Sequence, residues 1–148
     1  MDPIRTILVA VDFSEHSDAA ADAAAALAKQ LGAEVHVVHA FDLRIPMLTP
    51  YEVAIPEPYI EESREAAVAK LSAVAKKIQD EGIRVESHMA EAPPARAIAN
   101  AAEQVGADLI VIGTRGHTGV KHLLLGSVAE ATMRHAPCSV WAVKLKGV

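Results

Sequence analysis

Leu109-Ile110-Val111-Ile112-Gly113-Thr114-Arg115-Gly116-His117-Thr118-Gly119 is the stretch that decides how this chain folds. It opens with an unbroken aliphatic row and shows no polar alternation, so both faces of the strand it forms are buried. Such a strand lies inside a parallel sheet, with helices covering it above and below. The glycine-rich run behind it reads as a loop leaving the strand's carboxyl end.

Runs of the same kind recur on either side. Ile7-Leu8-Val9-Ala10-Val11 and Val35-His36-Val37-Val38-His39-Ala40 precede it, with Ile83 to Met89 alternating inside and outside. Ser139-Val140-Trp141-Ala142-Val143 closes the chain. Helical patterns separate these runs. An alanine-rich segment over about 15–31 has Ser14 as N-cap and Gly32 as stop. A second, over about 57–81, puts Ile60, Ala67, Leu71, Val74 and Ile78 on one stripe and ends at Gly82. Pro93-Pro94 opens a third that Gly106 ends, and a fourth runs from Ser127 to His135 before Pro137. The order β-α-β-α-β-α-β-α-β predicts an α/β fold. It is a five-stranded doubly wound parallel sheet, Rossmann-like (flavodoxin-like), in a three-layer sandwich with right-handed crossovers. The 148 residues are expected to make a single domain, 1–148. The irregular stretch 41–58, with prolines at 46, 50, 56 and 58, reads as a lid or a contact surface.

Composition narrows the function classes. The chain is 51% hydrophobic but only 3% aromatic, so alanine and branched aliphatic side chains must build the core. Fourteen basic against 19 acidic residues give a net charge of −5, which argues against nucleic-acid binding. One cysteine, Cys138, excludes a disulfide framework and a cysteine-rich metal site, and reads as a small buried apolar residue. Met1-Asp2-Pro3 lacks the charge and apolar run of a signal peptide, and no apolar stretch is long enough to span a membrane. A cytoplasmic protein is expected.

Ligands of open parallel sheets sit outside the strands' carboxyl ends, where strand order reverses, usually between the first and fourth strands. Those ends carry Val11-Asp12-Phe13-Ser14 and the segment from Gly113 to Gly119. Gly113 and Gly116 are expected to adopt positive φ and let the backbone approach a ligand. After nine intervening residues, Gly126-Ser127 opens the fourth helix, whose first amides, on Ser127, Val128 and Ala129, are unpaired donors at the positive end of its dipole. A phosphate can take them, with Ser127 and Arg115 adding contacts. A tight turn followed by an ordinary helix start fits the same residues. There is no P-loop, no Gly-x-Gly-x-x-Gly after the first strand, and no acidic pair of the response-regulator kind.

Gly113-x-x-Gly116, nine residues, then Gly126-Ser127 resembles the nucleotide-binding signature of the universal stress protein family, in its ATP-binding subgroup. So do Ile7 to Asp12 with Ser14, Leu123 to Val128, and Ala136-Pro137-Cys138-Ser139-Val140. Ser139 departs from the proline more usual in that family's closing strand. The resemblance implies that Asp12 and the backbone of Val11 and Phe13 contact adenine and ribose, and that Ala40 faces the base. Gly113, Arg115 and Gly116 would line the ribose and phosphates, with Gly126, Ser127, Val128 and Ala129 holding the phosphates. It further implies ATP, with Mg²⁺ or another divalent ion on the phosphates, and a homodimer through the C-terminal strand. The expected role is nucleotide-dependent regulation in stress survival, with at most slow hydrolysis, because no residue of the signature is an evident base for water. An adenylyl- or phosphoryl-transfer enzyme and a ligand-free dimeric scaffold are the competing readings.

The remaining polar residues read more plainly. Asp12 can instead cap the first helix or face solvent. His36 and His39 lie on opposite strand faces and cannot share a metal. His16, His88 and His135 are expected to lack ligating neighbours, and His117 and His122 to be surface residues. Glu130 is expected to face away from any phosphate, and Glu57, Glu61 and Glu62 to form a solvated helix start.

Overall fold

The structure, a computed structural model, describes residues 2–42, 55–116 and 124–146. The aliphatic runs become β1 (Thr6–Ala10), β2 (Glu34–Ala40), β3 (Val85–Ala90), β4 (Leu109–Gly113) and β5 (Ser139–Val143). The helices are α1 (Glu15–Leu31), α2 (Glu57–Gln79), α3 (Pro94–Val105) and α4 (Ser127–His135). All pairings are parallel and the strand order is β3-β2-β1-β4-β5. The order reverses between β1 and β4, whose register sets Ile7 beside Leu109 and Val9 beside Val111. This is the expected doubly wound sandwich.

Alternation along the strands divides the core in two. Ile7, Val9, Val35, Val37, Leu109 and Val111 face α1 and α2, while Leu8, Ala10, Val38, Ile110 and Ile112 face α3 and α4. Helix α1 presents Ala20, Ala24 and Ala28 to the sheet, and these small side chains let its backbone lie close to it. Ser14 caps α1 by accepting from the Ser17 amide at 3.2 Å, and Gly32 ends it at φ 67°. Helix α3 begins with Pro94 and ends at Gly106, φ 65°. Strand β3 starts two residues later than the sequence pattern predicts. Pairing with β2 begins at Val85, opposite Val35, leaving Ile83 buried in the approach.

Two expectations about histidines meet different outcomes. His36 and His39 do lie on opposite faces: His39 is near Val11 and Phe13, whereas His36 belongs to the α3 side. The expectation that His88 lacks ligating neighbours is overturned. Its Nε2 lies 2.8 Å from His36 Nδ1, and Glu86, two residues back, is on the same strand face. A linear spacing search misses this because the partner comes from the adjacent strand. Burial, and the repulsion that would arise if both imidazoles were protonated, lower the pKa of His88, partly offset by Glu86.

Segment 43–54 of the irregular stretch, with the lid or contact-surface reading, lies outside the described residues, as do His117 and His122. Cys138 is half-buried against the α3–α4 side of the core, where burial pushes its thiol pKa up. Among the described residues, no helix is long and apolar enough to cross a membrane.

Candidate functional site

A cleft of about 510 Å³ opens at the carboxyl ends of β1, β2 and β4, where strand order reverses. Its size lies within the range of small-molecule sites. The β1 exit contributes Ala10, Val11 and Asp12 to its walls, the β2 exit Val38 to Asp42, and the β4 exit Ile112, Gly113, Arg115 and Gly116. Gly126, Ser127, Val128 and Ala129 close the far side. Ten of the eleven residues singled out in the sequence therefore line one cavity: Val11, Asp12, Ala40, Gly113, Arg115, Gly116, Gly126, Ser127, Val128 and Ala129.

Phe13 is the exception. Its side chain packs against the core on the α1–α2 side, with its ring 4.4 Å from that of His39 and Lys70 Nζ 5.7 Å from its centroid. Its backbone is left-handed, φ 66°, the one such non-glycine residue among those described. An aromatic residue there is strained. The reversal turns the chain sharply from β1 into α1 and leaves Asp12 at the cleft.

Asp12 caps and lines the site at once. Its Oδ1 accepts from the Ser14 amide at 3.0 Å and from the Ser14 hydroxyl. Its Oδ2 points toward Gly116, where an added Cβ would collide with it. The carboxylate is thereby locked by the same serine that caps α1. The β2 exit is fixed in a similar way: His39 Nδ1 lies 2.8 Å from the Val11 carbonyl. A carbonyl only accepts, so Nδ1 carries the proton.

The glycines act for reasons other than the expected one. Among the described glycines, positive φ occurs at Gly32, Gly82 and Gly106, and not at Gly113, Gly116 or Gly126. Gly113 is needed because a Cβ there would stand 2.8 Å from the His16 carbonyl oxygen, on the first turn of α1. Gly116 leaves room for Asp12. Gly126 donates its amide to the Thr114 carbonyl at 2.6 Å, pinning the start of α4 onto the β4 exit.

As the N-cap of α4, Gly126 has no side chain with which to cap it. The helix's first internal bond runs from Glu130 N to Gly126 O at 3.0 Å. The amides of Ser127, Val128 and Ala129 precede that bond and have no helical acceptor. They sit at the cleft wall with the positive end of the helix dipole behind them. Glu130 turns outward, as expected, and pairs with Arg134 at 2.8 Å.

Sequence reading missed Ser17, His39, Phe41, Asp42, Pro94 and Ile98, which also belong to the lining, as do the strand residues Ala10, Val38 and Ile112. The signal for His39, Phe41 and Asp42 was their place at the exit of a central strand. Pro94 and Ile98 arrive through the packing of α3 beside β2, which no local pattern announces.

Comparison with known proteins agrees with this geometry. Residues 3–144 match the model of the universal stress protein family. A universal stress protein of Methanocaldococcus jannaschii is 38% identical over 144 residues, covering 95% of this chain and 82% of its own. The solved universal stress protein of Lactobacillus plantarum superposes with a TM-score of 0.80 at 25% identity, over 97% of this chain and 99% of that one. That of Archaeoglobus fulgidus, solved in complex with dAMP, gives 0.67 at 28% identity over 97% and 100%.

Proposed function

Because the chain belongs to the universal stress protein family, we propose that its cleft binds ATP and that the bound nucleotide regulates what the protein's surface presents. The observation that carries this reading is the uncapped start of α4, held against the β4 exit by Gly126 and opening on the cleft. Three helix-terminal amides without a helical acceptor are suited to an anion, and phosphate is the anion they fit best.

The other residues take roles consistent with their positions. Asp12, already locked by Ser14, accepts from ribose hydroxyls, while the backbone of Val11 and that of Ala40 border the base. Gly113, Arg115 and Gly116 line the ribose and phosphates, and Gly126 to Ala129 hold the phosphates. The Archaeoglobus fulgidus relative solved in complex with dAMP supports the adenine end of this assignment. Asp42, the other carboxylate of the cleft lining, suits a divalent ion shared with phosphate oxygens. Mg²⁺ or a similar ion there would neutralise phosphate charge.

Hydrolysis is slow in this reading. Asp12 Oδ1 is engaged by Ser14, and its position at the β1 exit suits ribose rather than an attacking water. The protein acts as a homodimer through the β5 edge, where Trp141 is 41% exposed and pairing groups on one side of the strand have no partner strand in the sheet. A cytoplasmic stress-survival role accompanies it.

Calorimetric titration with ATP, ADP and AMP, each with and without Mg²⁺, tests the proposal. Affinity should rise with phosphate number and with Mg²⁺. Equal affinity for all three nucleotides would remove the α4 terminus from the binding argument.

A further inference from the structure

A second chemistry-bearing cluster lies away from the cleft, on the α3 face of the sheet where β2 and β3 run side by side. His36 on β2 and Glu86 and His88 on β3 each bring one ligating atom to a common point, all within 4.8 Å of one another. His36 Nδ1 is 2.8 Å from His88 Nε2 and 3.6 Å from Glu86 Oε2. None of the three lines the cleft.

The far side of the His36 ring is equally organised. Its Nε2 lies 3.2 Å from Glu34 Oε1. A carboxylate accepts, so Nε2 carries the proton and the Nδ1 lone pair is directed at His88 and Glu86. Glu34 is itself oriented by the Thr6 hydroxyl at 3.4 Å and lies 3.9 Å from Arg84 Nε. A carboxylate behind the imidazole that fixes its tautomer and ring plane is the usual support of a metal-bound histidine. His36 is 7% exposed and so cannot reorient freely, whereas Glu86 is exposed on the edge strand and gives an ion a way in.

We infer that His36, His88 and Glu86 form a transition-metal site, with Glu34 as the positioning carboxylate and Zn²⁺ the ion whose preferences it matches. Two imidazoles and one carboxylate favour Zn²⁺ over the oxygen-seeking Mg²⁺ and Ca²⁺. Two nitrogens on a tetrahedral zinc, each about 2.0–2.1 Å from it, stand about 3.3 Å apart. The histidine pair therefore parts by about half an ångström on binding, and the His36–Glu86 separation changes little. His88 moves its single proton from Nε2 to Nδ1, releasing the lone pair that the ion takes. A water completes the fourth position. The bound ion clips the edge strand β3 to β2 and stabilises the fold by mass action.

The test uses the untagged full chain, stripped with a chelator and kept free of nucleotide, so that phosphate-bound metal does not contribute. Titration with zinc chloride should show one high-affinity ion per chain and a rise in melting temperature that Mg²⁺ does not reproduce. Co²⁺ in place of Zn²⁺ should give the strong visible absorption of four-coordinate geometry. Glu86→Gln and His88→Gln, both on the edge strand, should bind zinc at least about tenfold more weakly. Glu86→Gln, with an exposed carboxylate changed, should melt as the parent does in chelator. Zinc affinity unchanged in both variants, or a weak six-coordinate Co²⁺ spectrum, would overturn the assignment.

Discussion

The amide of Gly126 donates to the carbonyl of Thr114 at 2.6 Å, and this bond joins the two glycine segments into one wall. An added Cβ on Gly126 would lie 3.4 Å from that same carbonyl and from Arg115 Cα. There is space for a methyl group in ordinary contact and little more. Gly126→Ala should therefore keep most of the nucleotide affinity, while the branched side chain of Gly126→Val should press α4 away from the β4 exit and weaken ATP by at least about tenfold, or about 1.4 kcal/mol. Calorimetry on folded variants checks this; equal affinities for the two would contradict it.

Gly113 and Gly116 should separate stability from binding. Gly113→Ala sets a Cβ against the His16 backbone at 2.8 Å, and backbone yields poorly. A loss of about 1–3 kcal/mol in urea unfolding is expected from such overpacking. Gly116→Ala meets only the end of the Asp12 side chain. It should leave the unfolding midpoint nearly unchanged and reduce nucleotide affinity by displacing that carboxylate.

Ser14 serves the helix and the cleft together. Ser14→Ala removes the α1 cap on the Ser17 amide and the hydroxyl that holds Asp12. Stability should fall by about 1 kcal/mol, the usual cost of a lost N-cap. Nucleotide affinity should fall as well, beyond what an exposed cap elsewhere would cause. Thermal melts and calorimetry on the same preparation separate the two effects.

The thiol of Cys138 should react slowly. Burial raises its pKa and nearby Asp108 adds to this, with a backbone hydrogen bond at Ile110 opposing. A raised thiol pKa means less thiolate at a given pH, and the thiolate is the nucleophile. Alkylation by iodoacetamide at pH 8 should be slower in the folded protein than in urea. It should accelerate toward higher pH than for a free cysteine. A folded rate equal to the unfolded one would refute this.

ATP turnover should stay far below about 1 s⁻¹, the low end for dedicated enzymes. Incubation with labelled ATP and separation of products measures it. Rapid release of AMP or a phosphorylated acceptor would favour the transferase reading instead.

Much of this protein was legible in its sequence because the relevant physics is local. Aliphatic runs too continuous to alternate, such as Leu109 to Ile112, have to be buried on both faces, and helices between them force parallel strands and one direction of winding. The glycine spacing from Gly113 to Gly126 marked the strand exit and helix start that line the cleft. The reasons behind those glycines were not legible. Whether Gly113 serves φ or close packing depends on the α1 backbone at His16, nearly a hundred residues away in sequence. The left-handed turn at Phe13 and the double duty of Asp12 likewise follow from how α1 must leave β1. The pairing of His36 with His88 was hidden for a similar reason. Strand register decides which side chains of β2 and β3 stand beside one another, and register is set by the whole sheet rather than by any one strand.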